Sequence, residues 1–443
     1  MKLDFSNKTM DIGTFAFNFV RTLMVAGTGG AELNECLLVA GKIKDNDSES
    51  WVQEWRIMAD KVAGIAEHAM RLNQTVTARQ AYLRASNYYR TAMFSLPHTD
   101  ARLDQYLTLS RECFHKAARL SSPPVEIITI PFGDALLPGY FLSAGSAQNP
   151  TLIVLNGGDS TNEEMVHWIG FAAVARGWNC ITFEGPGQWS ALQLNPGLYM
   201  RHDYEAPVKA VVDYLVQRGD VDQDKIALFG PSLGSVLAAR AATFEPRIKA
   251  CVCSGLIVDV YEGWHAVWPA VLQKAPPAAF DAVFSGLEKV SPQLHGMANH
   301  FRWMLGVSKP HEIIDAWRPY NIKQLAPKMH FPLLLVYGEG EAAQSNEQVG
   351  LSVLRFVKEL SCPVTIHLFS FEDGWAASHC QIGALAPLQM LVFDWLDKVI
   401  NASPSLPLHD MNTALDVFTK YMHSDKAKLE AAELVKQLRA EFA

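Results

Sequence analysis

Apolar residues recur at three- and four-residue steps through the first quarter of the chain, then in short strand-like runs, and this change of period divides the sequence. Across Ser50–Asn73 the positions Trp51, Trp55, Met58, Val62, Ile65, Ala66 and Ala69 fall on one face of a helix. Ser50 and Gln53 read as a capping box at its start. Thr77–Leu96 and Asp100–Leu120 carry the same spacing, and small residues at Ala81, Ala85 and Ala92 permit close helix contact. Residues 1–122 are therefore expected to form a helical N-terminal domain. No fixed period recurs there that would mark a repeat scaffold.

The texture changes at Ser121-Ser-Pro-Pro124. Beyond it, β-rich runs alternate with helical stretches: Val125–Pro131, Leu137–Ser143, Thr151–Asn156, Trp178–Phe183, Lys225–Gly230, Ile248–Ser254, Pro332–Tyr337 and Pro363–Ser370. Strands separated by helices pair in parallel, because a tight turn cannot join parallel neighbours. The first two runs have no helix between them and read as an antiparallel hairpin. The expectation is an α/β fold with an eight-stranded, mostly parallel sheet, its core supplied by residues 123–255 and 331–400. The alternation stops over 256–330, a stretch holding Trp264, Trp268, Phe280, Phe284, Phe301, Trp303, Met304 and Trp317. It reads as a helical lid inserted after the sixth strand. In residues 401–443, Asn401–Pro407 reads as a linker and Lys426–Phe442 as a charged helix, to which no chemistry is assigned.

Net charge is −8 with both signs interspersed, which excludes a nucleic-acid footprint or a polybasic membrane patch. No run approaches the ~18 apolar residues that mark a membrane span. The start, MKLDFSNKTMDIG, lacks the basic, apolar and small-residue succession of a secretion signal, so a cytoplasmic protein is expected. Seven cysteines, an odd number without a C-x-x-C pair, fit reduced thiols and offer no zinc framework. No metal or cofactor is expected, and the partner is a small molecule. The oligomeric state stays open, with a homodimer as the working expectation.

The strongest chemical signal is Gly230-Pro-Ser-Leu-Gly234, preceded by the strand Lys225–Phe229 and followed by the helical Ser235–Ala242. A strand, G-x-S-x-G and helix in that order form a nucleophile elbow, which presents Ser232 Oγ above the sheet edge and aims the Leu233 N–H at the same point. A second oxyanion donor is expected after the third strand, in Leu155-Asn-Gly-Gly-Asp-Ser160, from the N–H of Gly158 or Asp159. A serine hydroxyl needs a base. Of fourteen histidines, His379 lies in the loop after the eighth strand, whereas His68 and His115 sit on helices and His367 within a strand. The orienting acid is expected at Glu341, in Gly338-Glu-Gly-Glu341 after the seventh strand, with Asp259 as the alternative and Glu339 or Asp373 behind them. Tyr261, Glu262, Trp264 and His265, just past the sixth strand, and Trp189, after Glu184-Gly-Pro-Gly-Gln188, are the expected substrate-facing residues. A lid this apolar favours a bulky aromatic or polyketide-like substrate over a sugar or small charged ester.

Tyr82-Leu-Arg-Ala-Ser-Asn-Tyr-Tyr89, Glu184-Gly-Pro-Gly-Gln188, Gly230-Pro-Ser-Leu-Gly234 and His379-Cys-Gln381 together resemble a particular group of α/β-hydrolases. These are the fungal pigment-pathway polyketide-shortening hydrolases and the bacterial dihydroxypseudooxynicotine hydrolase, which pair a helical N-terminal domain with a lid; the resemblance spans roughly residues 50–400. It implies hydrolysis of a carbon–carbon bond between carbonyls, with Ser232 attacking a ketone and an enolate leaving. It also implies that Glu262 assists the leaving group. The same elbow also serves, as alternatives, a carboxylesterase, thioesterase or lactonase, or a non-hydrolytic cyclase or condensation enzyme on a polyketide intermediate.

Overall fold

The computed structural model describes residues 2–5, 8–11, 15–145, 147–345, 347–401 and 411–442; the expected linker lies, beyond Asn401, outside them. The N-terminal helices are α1 (Ala16–Leu23), α2 (Leu33–Ala40), α3 (Ser48–Arg71), α4 (Thr75–Met93) and α5 (Ala101–Arg119). The capping box expected at Ser50 is replaced by a cap at Asp47, whose carboxylate accepts the Ser50 N–H at 2.9 Å. Ser50 lies inside the first turn, where its Oγ accepts the Lys44 N–H. A carboxylate is favoured there because it also meets the positive end of the helix dipole. Trp51 and Trp55 are fully buried, Trp51 stacked on Phe15 at 4.8 Å and Trp55 tilted against Tyr88 at 5.4 Å. Ile65, at the margin of the apolar stripe, is exposed. Trp55→Ala is expected to cost about 3–5 kcal/mol, measured as a shifted denaturant midpoint.

The sheet strands are β1 (Glu126–Phe132), β2 (Ala135–Leu142), β3 (Asn149–Val154), β4 (Asn179–Phe183), β5 (Val221–Pro231), β6 (Ile248–Ser254), β7 (Leu333–Gly338) and β8 (Val364–Phe369). Their order is β1-β2-β4-β3-β5-β6-β7-β8, antiparallel at the β1/β2 and β2/β4 pairs and parallel elsewhere. Period-two alternation sends Val154, Phe229, Val252 and Val336 into one core, which they share with the N-terminal helices. Ile153, Leu228, Cys251 and Leu335 enter the other, shared with the lid and the C-terminal helices. The sheet is thus covered on both faces, as a parallel sheet requires.

Helix α6 (Leu233–Phe244) follows β5, and the insertion after β6 includes α7 (Val260–Ala266) and α8 (Pro292–Leu305). The tail forms α9 (Met411–Lys420) and α10 (Asp425–Phe442). It is packed rather than loose: Leu415, Phe418, Met422, Ala431 and Leu438 are buried. Among the described residues no helix is long and apolar enough to cross a membrane. The parallel strands point their carboxyl ends at one edge of the sheet, where open α/β folds gather their ligand-binding loops.

Candidate active site

At the end of β5 the chain turns through Ser232 with φ 55° and ψ −125°, a left-handed backbone that a serine adopts only under constraint. The constraint comes from both sides. A Cβ on Gly230 would lie 2.1 Å from the Gly234 carbonyl oxygen, and one on Gly234 would lie 2.6 Å from that of Asn156. Only glycine fits at either place. The Ser232 N–H donates to the Ser254 carbonyl at 2.8 Å, which ties the turn to β6.

Ser232 Oγ lies 3.0 Å from His379 Nε2, and His379 Nδ1 lies 2.5 Å from Glu341 Oε1. Glu341 is itself oriented, because its Oε2 accepts the Gly338 N–H at 2.7 Å. Burial opposes a charged His379 imidazole, but Cys380 and the Glu341 carboxylate outweigh it and raise its pKa well above the ordinary value. The structure therefore brings together a hydroxyl, a base and a carboxylate from the loops after β5, β8 and β7.

Asp259, the alternative acid, is engaged elsewhere. It caps α7 by accepting the Glu262 N–H at 2.9 Å, accepts from Asn321 Nδ2 at 2.6 Å, and pairs with Lys323 Nζ at 3.1 Å. Glu339 is held by Lys420, Tyr421 and the Phe371 N–H, and Asp373 by the Ser370 N–H. Asp259→Asn should keep turnover within about threefold of the parent, since no carboxylate near the histidine is lost; steady-state kinetics check this.

The loop after β3 lies against the elbow. A Cβ on Gly157 would be 3.5 Å from Ser232 Cβ, and one on Gly158 would be 3.9 Å from Leu233 Cβ. The Gly157 N–H is occupied by Ser160 Oγ at 2.7 Å. Among the described residues, no protein acceptor meets the N–H groups of Gly158, Asp159 or Leu233. Arg21 of α1 reaches across, pairing with Glu164 at 2.6 Å and Asp159 at 2.9 Å. The Asp159 side chain is half exposed, and the Arg21 guanidinium holds its carboxyl below the usual range. Trp189 Nε1 donates to the Asp159 carbonyl at 2.9 Å.

Two chambers meet at Ser232. One, of about 410 Å³, is bounded by Trp264 and Trp317 of the lid and by Phe418, Tyr421 and Met422 of the tail. The other, of about 330 Å³, lies between the N-terminal domain, which supplies Phe15 and His98, and Trp189, Met297 and His300. Gly158, Phe301, His379 and Ser232 border both.

Tyr261, Glu262 and His265 border neither chamber, contrary to expectation. Helix α7 turns Val260, Gly263 and Trp264, with Val267 just beyond it, toward the cavity; these positions fall on one helical face. Glu262 faces away, held by Lys323 at 2.7 Å and Ser352 Oγ at 3.0 Å. Tyr261 and His265 stack on each other at 5.0 Å. The tail and N-terminal residues that border the chambers were not anticipated. The spacing of Leu415, Phe418 and Met422 was the available signal for the tail, since it marks one apolar helical face.

Sheet order, the elbow after β5, and the placement of acid and histidine after β7 and β8 define an α/β-hydrolase. The family described as "Esterase FrsA-like" matches residues 41–305, and the chain belongs to it. Among curated relatives, Hydrolase LUC6 of Fusarium sp is 31% identical over 410 residues, covering 87% of this chain and 96% of that protein. The 20-hydroxy-prefusarin hydrolase FUS2 of Gibberella moniliformis is 31% identical over 419 residues, with the same coverage of both chains. The α/β hydrolase psoB of Aspergillus fumigatus is 33% identical over 425 residues, covering 87% and 92%. Among solved structures, 2,6-dihydroxy-pseudo-oxynicotine hydrolase shares the fold with a TM-score of 0.68 at 22% identity, over 88% of this chain and 98% of that one.

Proposed function

We propose that the chain is a serine hydrolase of secondary metabolism that cleaves a carbon–carbon bond in a bulky, polyketide-like or aromatic β-dicarbonyl compound through an acyl-enzyme on Ser232. The observation that carries this is Ser232 Oγ, 3.0 Å from His379 Nε2, where the two chambers meet. A carbonyl at that point has room for a large substituent on either side.

Ser232 Oγ attacks the carbonyl carbon while His379 Nε2 takes its proton, and the oxyanion is met by the Leu233 N–H and a second N–H from Gly158 or Asp159. Collapse breaks the bond to the neighbouring carbon, which leaves as an enolate stabilised by the second carbonyl and takes the proton from His379. Water then attacks the acyl-enzyme with His379 as base and releases a carboxylate. Support for a polyketide-like substrate comes from the apolar chamber walls and from the relative named as a 20-hydroxy-prefusarin hydrolase.

An ester, thioester or lactone is the second reading, favoured by Glu262. With its carboxylate on Lys323 and Ser352, it is not poised to assist a carbon leaving group, and an oxygen or sulfur leaving group needs no such help. Incubation with panels of β-diketones and aryl esters in ¹⁸O-water separates the cases. Diketone cleavage with label in the carboxylate is the expected result. Ester turnover without any diketone cleavage overturns the carbon–carbon assignment, and a cyclised product without label points to ring closure.

A further inference from the structure

We propose that the second oxyanion donor is the Asp159 N–H, and that His300 of the lid, backed by His98 of the N-terminal domain, is the positioning residue that sets it. This rests on the serine reading above. His300 Nε2 lies 2.6 Å from the Gly158 carbonyl oxygen, and His98 Nε2 lies 3.0 Å from His300 Nδ1. These contacts fix the tautomers. A carbonyl only accepts, so His300 Nε2 carries hydrogen; in the neutral ring Nδ1 is then bare and accepts from His98 Nε2–H.

Burial keeps both rings neutral, lowering the pKa of His300 and pushing that of His98 down to about 2. His98 lies parallel to Trp303 at 4.2 Å, and His300 packs on Trp189 at 4.6 Å, so neither ring is free to turn.

The consequence follows from the peptide unit. In a planar trans amide the C=O and N–H point in opposite directions, so holding the Gly158 carbonyl on His300 sends the Asp159 N–H the other way. The bond also polarises that amide and strengthens its N–H as a donor. Trp189 fixes the next carbonyl and Ser160 the preceding N–H, so the turn is held on three sides. One of these three bonds comes from the lid, and the group behind it comes from the N-terminal domain. The donor geometry in the catalytic core therefore depends on both appended parts being seated.

The test is phosphonylation of Ser232 by a fluorophosphonate probe, measured as the maximal rate kinact and the binding constant KI and followed by intact-protein mass. His300→Phe should lower kinact by about 10- to 100-fold while KI stays within about threefold, because the oxyanion donor acts on the transition state. His300→Gln, whose amide N–H reaches about as far as Nε2, should recover most of the rate. His300→Asn, too short to reach Gly158, should not. The Gln and Asn pair keeps the comparison decisive if the phenylalanine variant does not fold. Equal rates for Gln and Asn, or a loss confined to KI, overturn the role of His300 and leave the serine assignment standing. Failure of the parent enzyme to label at Ser232 overturns the serine assignment and, with it, this proposal.

Discussion

Ser232→Ala is expected to lower kcat by about 10⁴- to 10⁶-fold, with KM within about threefold and no fluorophosphonate labelling. The size follows from the surroundings, where, among the described residues, the serines beside His379 are engaged elsewhere. Ser160 Oγ is taken by the Gly157 N–H, Ser254 Oγ donates to Gln381 at 2.9 Å, and Ser345 Oγ donates to the Glu341 carbonyl. Among the described residues, Cys380 Sγ, 3.5 Å from His379 Nε2, is the neighbouring nucleophile expected to sustain any residual turnover. A Ser232→Ala, Cys380→Ala double variant should remove any such remainder. A single variant keeping kcat within tenfold would end the nucleophile assignment.

Glu341→Gln should cost about 10³- to 10⁴-fold in kcat, the loss typical when a triad acid becomes an amide and the imidazole is left in the wrong tautomer. It should also move the pH profile in a defined direction. The base must be neutral to accept the serine proton, so kcat/KM rises with pH as His379 loses its own. Glu341 helps to raise the His379 pKa above its ordinary value of 6.5, against burial. The acid limb of the parent enzyme should therefore lie above 6.5, and removing the carboxylate charge should move it down. An unmoved limb together with full activity would sink the assignment. The contrast with Asp259→Asn is the sharper control, because both residues follow a strand end.

That contrast marks where the sequence stopped being sufficient. Chain order alone leaves both carboxylates within reach of a histidine after β8. The choice needs the third dimension, in which Asp259 spends its oxygens on α7, Asn321 and Lys323. Part of the answer was nonetheless local, since Asp259 stands three residues before Glu262 in the spacing of a helix N-cap. Once that helix is placed, its inward face follows, and Tyr261, Glu262 and His265 drop out of the pocket. The strands of the large sheet are readable because each is a short apolar run bounded by turns; the separate antiparallel pair Lys2–Phe5 and Lys8–Asp11 is not, since its four-residue segments mix polar and apolar residues without a run. The contact between His98 and His300 joins residues 202 apart and has no local signature. It arises only when the helical domain and the lid close over the same edge of the sheet.

The two chambers at Ser232 draw their outer walls from different stretches of chain, one from the tail that carries Phe418 and Met422, the other from the first helices and the loop bearing His98. On the proposed reading, the walls that differ between the chambers let the two halves of a substrate be selected in part separately, while Gly158, Phe301 and His379 stay common to both. Changes in the last thirty or so residues can retune tolerance for one fragment while the opposite fragment and the bond-breaking machinery keep their surroundings. If the proposed reaction holds, a chimaera that exchanges only the residues around Phe418 and Met422 is expected to change preference on one side of the scissile bond.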